Sequence, residues 1–232
     1  MVQFAWLIPM FPLLGFLLIG LLNKRLPVSL SGGIATLMVF LSFIVSAVIF
    51  GEVAQDGSVP ERVVLFDWIS VGDLSIPFSF LIDRLSVIML MVVTGVGSLI
   101  HLYSIGYMHH EQDHPRYFSY LNLFVFFMLL LVLGSNYIVM FVGWEGVGLC
   151  SYLLIGFWFK NIDYSNAAKK AFIMNRIGDL GLLLGVFLIY TTFGSVGFRE
   201  VFESARHFPE NSEAITAICL LLFVGAMGKS AQ

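Results

Sequence analysis

Charge is scarce in this sequence. Asp, Glu, Lys and Arg together make up 12% of its 232 residues, about half of the roughly 25% usual in a soluble domain. A chain so poor in charge cannot cover itself with a polar surface, and with 59% hydrophobic residues it belongs in a bilayer. Cysteine is nearly absent. Cys150 and Cys219 both sit in apolar runs, so there is no disulfide framework and no metal or iron–sulfur ligand spacing. No basic stripe exists to hold phosphates, and a net charge of -3 points away from nucleic acid. A Walker sequence, a dinucleotide-binding glycine pattern after a strand and a hydrolytic triad context are all missing. No NADH or ATP site is therefore expected in this polypeptide. Nor does a basic stretch precede the first apolar run. The first charges, Lys24 and Arg25, follow it, so Val2–Leu22 reads as a retained helix rather than a signal peptide.

What is present is a series of apolar runs, each close to the ~20 residues that a spanning helix needs. Seven are expected to span: 2–22, 28–50, 80–103, 117–134, 137–158, 170–193 and 214 to the end. The fold class is thus an all-α polytopic membrane protein. Residues 51–79 break the pattern. This stretch is acidic and alternates apolar and polar residues in RVVLFDWISV and DLSIPFSF, which predicts a small extramembrane β-hairpin. Lys24, Arg25, Arg116, Lys160, Lys169 and Lys170 fall on one side of this topology; Arg62, Arg199 and Arg206 fall on the other. Because cytoplasmic loops collect lysine and arginine, the N-terminus and the hairpin are expected outside. The last run ends in GAMGKSAQ with neither loop nor tail, which reads as a fragment of a longer protein.

Four charges lie within apolar runs: Glu145, Arg176, Asp179 and Lys229. A charge at the bilayer centre costs about 2.5–3.5 kcal/mol on insertion scales, so such residues face the protein interior and a functional role is the default hypothesis. Burial works against an ionised Glu145 and a nearby cation works for it; the two together can set a group to exchange a proton. Gly143, Gly146 and Gly148 remove side chains around it and permit close helix approach. The competing reading is a protonated Glu145 that merely bonds a neighbouring helix. Lys229 is the natural complement, with Gly225 and Gly228 permitting a local helix break; alternatively it snorkels to the interface. Arg176 and Asp179, three apart, share a helix face and can pair as an intrahelical bridge. Asn175 and Lys170 extend that polar stripe toward the cytoplasmic end, which favours a hydrated half-channel. His109, His110 and His114 in HHEQDH read as a solvated loop rather than a metal site. His101 reads as packed or interfacial, and Asp83-Arg84 marks the outer end of the third helix.

GWEGVGLCSYLLIGFWF, then KKAFIMNRIGDLG, then GAMGKSAQ closely resemble the antiporter-like L subunits of respiratory complex I, equivalent to mitochondrial NADH-ubiquinone oxidoreductase chain 5. FLIDRLSVIML and LIHLYSIGYMHH resemble the third-helix region of that family. The resemblance implies a proton-translocating subunit of NADH:quinone oxidoreductase with no redox site of its own. NADH, FMN, iron–sulfur clusters and quinone would reside in partner subunits. It implies Glu145 and Lys229 as the central proton-handling pair, with Asp179, Arg176 and Lys170 also on the proton path. It implies a fold of two inverted five-helix repeats, residues 1–116 forming a leading three-helix region with a hairpin at about 51–79, and 117–232 most of the first repeat. An M-type antiporter-like subunit is the expected neighbour and a bacterial inner membrane the expected location. Two other readings stay open: a subunit of a multi-subunit sodium/proton antiporter, and a structural membrane subunit whose buried charges only hold helices together.

Overall fold

A computed structural model of the chain describes residues 2–22, 26–56, 60–72, 74–111, 113–209 and 212–230. Lys24 and Arg25, used above for orientation, lie outside them. The order is α1 (Leu7–Leu21), α2 (Val28–Asp56), β1 (Glu61–Val71), β2 (Leu74–Ile82), α3 (Arg84–Tyr107), α4 (His114–Leu133), α5 (Tyr137–Ile155), α6 (Ile162–Phe193), the short α7 (Phe198–Ala205) and α8 (Glu213–Lys229), with a 3-10 turn at Val2–Phe4. Among the described residues, six helices are long and apolar enough to cross a membrane: Val2–Leu21, Leu30–Ala54, Arg84–Tyr107, His114–Leu133, Tyr137–Ile155 and Ile162–Phe193. The seventh expected span corresponds to α8, of 17 residues. At 1.5 Å per residue it measures about 26 Å, just short of the ~30 Å hydrocarbon core. The chain is a multi-pass membrane protein.

The hairpin forms, but at 61–82 rather than 51–79. α2 runs on to Asp56, beyond the expected end at Phe50, because Val53 is still a packed position at 8% exposure. β2 in turn reaches Ile82, so α3 begins at Arg84 instead of Phe80. Asp83 fixes that start. Its carboxylate accepts the Ser86 N–H at 2.7 Å while the Ser86 hydroxyl accepts the Asp83 N–H at 2.9 Å, a capping box that satisfies two helix-end groups reciprocally. α6 likewise starts at Ile162, well before Lys170, because Asn161 caps it by accepting the Asp163 N–H.

The chain divides into two compact units. The first comprises Met1–Leu65 and Phe80–Leu133, and in it α1 packs on α2 and α4, and α2 on α3. Pro12 sits inside α1 and has no N–H to give to the Ile8 carbonyl. The hydroxyl of Ser42, fully buried on α2, donates to that carbonyl. In lipid, where no water can substitute, this repair matters. Ser42→Ala should therefore lower the thermal unfolding midpoint of the purified protein, reflecting a loss of about 1–3 kcal/mol for a buried acceptor left bare. An unchanged midpoint would show that the Ile8 carbonyl finds another donor.

The second unit comprises Phe66–Ser79 and Gly134–Gln232. The hairpin stretch, the turn 134–136 and the loop after α6 meet at one end of it. The Ser135 N–H donates to the Ser79 carbonyl at 3.1 Å, the Tyr137 N–H to Val196 at 3.0 Å and the Phe198 N–H to Ser135 at 3.2 Å. Ile76, Tyr137, Val196 and Val201 form the apolar core beneath these bonds. Gly194, at φ 69°, ends α6 in the left-handed conformation that a glycine adopts without strain. All three segments lie at one end, as the alternating topology requires.

Candidate functional site

α5 carries the first part of the site. Asn136 caps it, its side-chain oxygen accepting the N–H groups of Ile138 and Val139 at 3.1 and 2.8 Å while its amide donates to the Pro77 carbonyl at 3.0 Å. Glu145 stands about 12 Å along this helix from Tyr137.

α6 and α8 bring the other charges to it through a glycine crossing. A Cβ placed on Gly178 would lie 2.9 Å from the Gly228 Cα, and one on Gly228 would lie 2.8 Å from the Gly178 Cα. Gly225 faces the Leu182 side chain as closely, at 2.8 Å, and Gly181 and Gly185 continue the seam against Val224 and Leu222. Backbones without side chains can approach this far, which is how helices associate in lipid. Gly225 and Gly228 therefore serve packing within a continuous α8, not the local break expected of them.

The crossing delivers Lys229 to α5. Its ammonium donates to the Trp144 carbonyl at 2.7 Å and lies 5.2 Å from the centroid of the Trp144 ring, close enough for a cation–π contribution. Gly148 makes the room, since a Cβ there would sit 2.8 Å from Lys229 Nζ. On its other side Trp144 donates its indole N–H to Asp179 Oδ1 at 2.7 Å, and Asp179 is 5% exposed. Glu145 forms an ion pair with Arg176, whose guanidinium also lies over the Phe172 ring at 5.0 Å. Two carboxylates and two cations thus stand within electrostatic reach of one another on three helices. With all four groups ionised the set is neutral, which is how charges are tolerated away from water.

This geometry corrects two expected pairings. Arg176 and Asp179 do share a face of α6, but each turns to a partner on α5 instead of forming an intrahelical bridge. Lys229 meets the Trp144 carbonyl where a bond to Glu145 was expected, because Arg176 already takes that carboxylate. Lys229 points into the cluster and does not snorkel. Lys170 is exposed on α6 and, among the described residues, makes no ion pair with the other four. Trp144 was not singled out from the sequence. A tryptophan next to a glutamate in an apolar run was the available signal, since a buried indole N–H ordinarily requires an acceptor.

His114 is not in a solvated loop. It opens α4, fully buried, with Nδ1 3.0 Å from the Ser31 hydroxyl and its ring 4.6 Å from that of Phe118. His101 is packed, 1% exposed. Among the described residues no three His, Cys, Asp or Glu side chains gather closely enough to hold a metal ion.

Residues 68–118 match the family described as NADH-Ubiquinone oxidoreductase (complex I), chain 5 N-terminus. Residues 134–232, which hold the whole cluster, match the family NADH:quinone oxidoreductase/Mrp antiporter, TM. NADH-quinone oxidoreductase subunit L of Mycobacterium tuberculosis is 44% identical over 99% of this chain and 36% of its own length. NADH-ubiquinone oxidoreductase chain 5 of Marchantia polymorpha is 44% identical over 97% of this chain and 35% of its own length. The chain belongs to the complex I subunit L/chain 5 family. It spans about a third of the length of these curated relatives. The Mrp complex from Dietzia sp. DQ12-45-1b shares the fold, with a TM-score of 0.81 at 23% identity over 98% of this chain and 24% of that one. In this subunit L-type chain the glycine crossing of α6 and α8 and the Glu145, Arg176, Asp179 and Lys229 cluster both lie inside the antiporter-type match.

Proposed function

We propose that this chain belongs to a proton-translocating membrane subunit of NADH:quinone oxidoreductase. The observation that carries the reading is the charge-balanced cluster of Glu145, Arg176, Asp179 and Lys229, joined across three helices through Trp144. In such a set the loss or gain of one proton leaves an uncompensated charge, so moving Lys229 or Arg176 changes how tightly Glu145 holds its proton. One pKa unit is 1.36 kcal/mol. A membrane potential contributes about 2.3 kcal/mol per charge per 100 mV, so a change of roughly two units releases a proton against such a load. Glu145 is the exchange site, Lys229 the modulating cation, Asp179 and Trp144 its tether, Arg176 the alternate partner and Lys170 the group near the cytoplasmic end of the path.

Oxidation of NADH through FMN and iron–sulfur clusters, and reduction of quinone, take place in partner subunits; an M-type antiporter-like subunit adjoins this one in a bacterial inner membrane. Residues 117–232 supply most of the first inverted repeat and 1–116 the leading region. The fold shared with the Mrp complex favours one second reading, a subunit of a sodium/proton antiporter. Mild isolation of the native complex separates the two. Co-isolation with NADH:quinone oxidoreductase activity fits the first, and a redox-silent complex exchanging sodium for protons replaces it with the second.

Gly148→Ala probes the tether with little risk to folding, since the methyl crowds the movable tip of Lys229 at 2.8 Å and meets the Asn175 amide at an ordinary 3.7 Å. A hydrogen bond to a charged group contributes about 1.5–3 kcal/mol, so proton translocation should fall roughly tenfold while the complex still assembles. Full translocation in that variant would remove the Lys229–Trp144 contact from the mechanism.

A further inference from the structure

The interior of the first unit contains three buried polar atoms that its described residues leave without a partner: His101 Nε2, His114 Nε2 and Asn122 Oδ1. The three residues are 1%, 0% and 0% exposed. All flank Phe118. The His101 and His114 rings lie 6.2 and 4.6 Å from the Phe118 ring, and the Asn122 amide donates to the Phe118 carbonyl at 3.1 Å. The chemistry of two of the orphans is fixed. His101 Nδ1 stands 2.7 Å from the Gly97 carbonyl, which can only accept, so Nδ1 carries the proton and, in the neutral ring, Nε2 is an acceptor. Asn122 Oδ1 is an acceptor by nature. Both therefore require a donor, and none is found among the described residues: the hydroxyls of Thr94 and Ser98, on the same face of α3, donate to Leu90 and Thr94 carbonyls of their own helix.

We propose that this four-helix interior binds water, held at His101 Nε2, His114 Nε2 and Asn122 Oδ1, in a short internal file of about 12 Å along α4 from His114 to Asn122. A buried water makes two to four hydrogen bonds to groups otherwise unsatisfied, and a ligand that can donate is what two acceptors call for. A metal cation fits less well, because no carboxylate is in the set and, among the described residues, no metal-holding group of side chains exists. The inference does not depend on the role assigned to Glu145.

Brief X-ray hydroxyl-radical labelling of the intact complex, read by mass spectrometry, tests it. Radicals generated from a bound water mark the side chains beside it even where bulk solvent has no access. Phe118 and Phe80, both buried at 0% and 1% exposure, form a matched pair. Phe118 should label at least fivefold faster than Phe80, and Leu129 on the same helix should remain unlabelled. Equal rates at the two phenylalanines would overturn the proposal. A variant carrying Asn122→Leu and His101→Phe should lose the excess at Phe118; an unchanged excess there would place the water elsewhere and also overturn it. If that variant does not assemble, the wild-type ratio still decides.

Discussion

Glu145→Gln is expected to abolish proton movement through this subunit while leaving the complex assembled. Glutamine keeps the shape of the side chain and can still bond Arg176, but it removes the one group on α5 able to take and release a proton within the cluster. It also changes the charge of the set from neutral to +1, with Arg176 and Lys229 facing Asp179 alone. Translocation in reconstituted vesicles should drop by roughly tenfold or more, equivalent to more than one pKa unit of lost discrimination. The effect on stability should be much smaller. Breaking a fully buried ion pair costs about 3–5 kcal/mol. Here the Glu145 and Arg176 side chains are 21% and 50% exposed in this chain, which brings the figure toward the ~1 kcal/mol of an exposed pair. The two readings of the cluster therefore separate cleanly. If the variant assembles and oxidises NADH but moves no protons, the carboxylate is an exchange site. If it assembles poorly and the fraction that does assemble pumps normally, the charges only hold helices together.

The sequence exposed the four charged residues of the site because each stands against an apolar background where a charge is costly. Their partners were less visible. The i,i+3 relation of Arg176 and Asp179 describes a single helix, and the preference of each for α5 depends on the α5–α6–α8 packing, which no local pattern records. Trp144 was hidden for a related reason: an aromatic in an apolar run ordinarily packs, and only the nearness of Asp179 and Lys229 shows its polar edge and carbonyl in use. The spans were located by hydropathy but clipped, since α2 and α6 continue past the apolar stretch wherever a packed valine or a capping asparagine keeps the helix going. The alternation in 61–82 identified the strands, and the capping box at Asp83 decided where they ended. The meaning of the glycines divided by position. Gly148 makes room for an ammonium, whereas Gly225 and Gly228, read as a potential break, are flat surface for another helix.

That last distinction leads to the other large effect. Gly178→Ala should destabilise the α6–α8 pair because the added methyl would stand 2.9 Å from the Gly228 Cα and 3.2 Å from the Gly225 carbonyl oxygen. Both are backbone atoms, so no side chain can turn aside and the helices themselves must part. Overpacking of this kind costs about 1–3 kcal/mol, enough to reduce the yield of assembled complex several-fold. Parting by about an ångström also stretches the 2.7 Å bond from Lys229 to Trp144 toward the 3.6 Å at which a hydrogen bond no longer counts. Gly33→Ala provides the opposite sign. Nothing lies within 4 Å of the position its methyl would take, so it gains up to ~1 kcal/mol of helix propensity at no steric cost. The reciprocal geometry allows a sharper check. A Cβ on Gly228 points back at the Gly178 Cα at 2.8 Å, so a single separation relieves both clashes. Gly178→Ala and Gly228→Ala combined should then cost clearly less than the sum of the two alone, a coupling that a double-mutant cycle measures directly. Strictly additive losses would mean that the two glycines act at separate contacts and that close approach of α6 to α8 is not what positions Lys229.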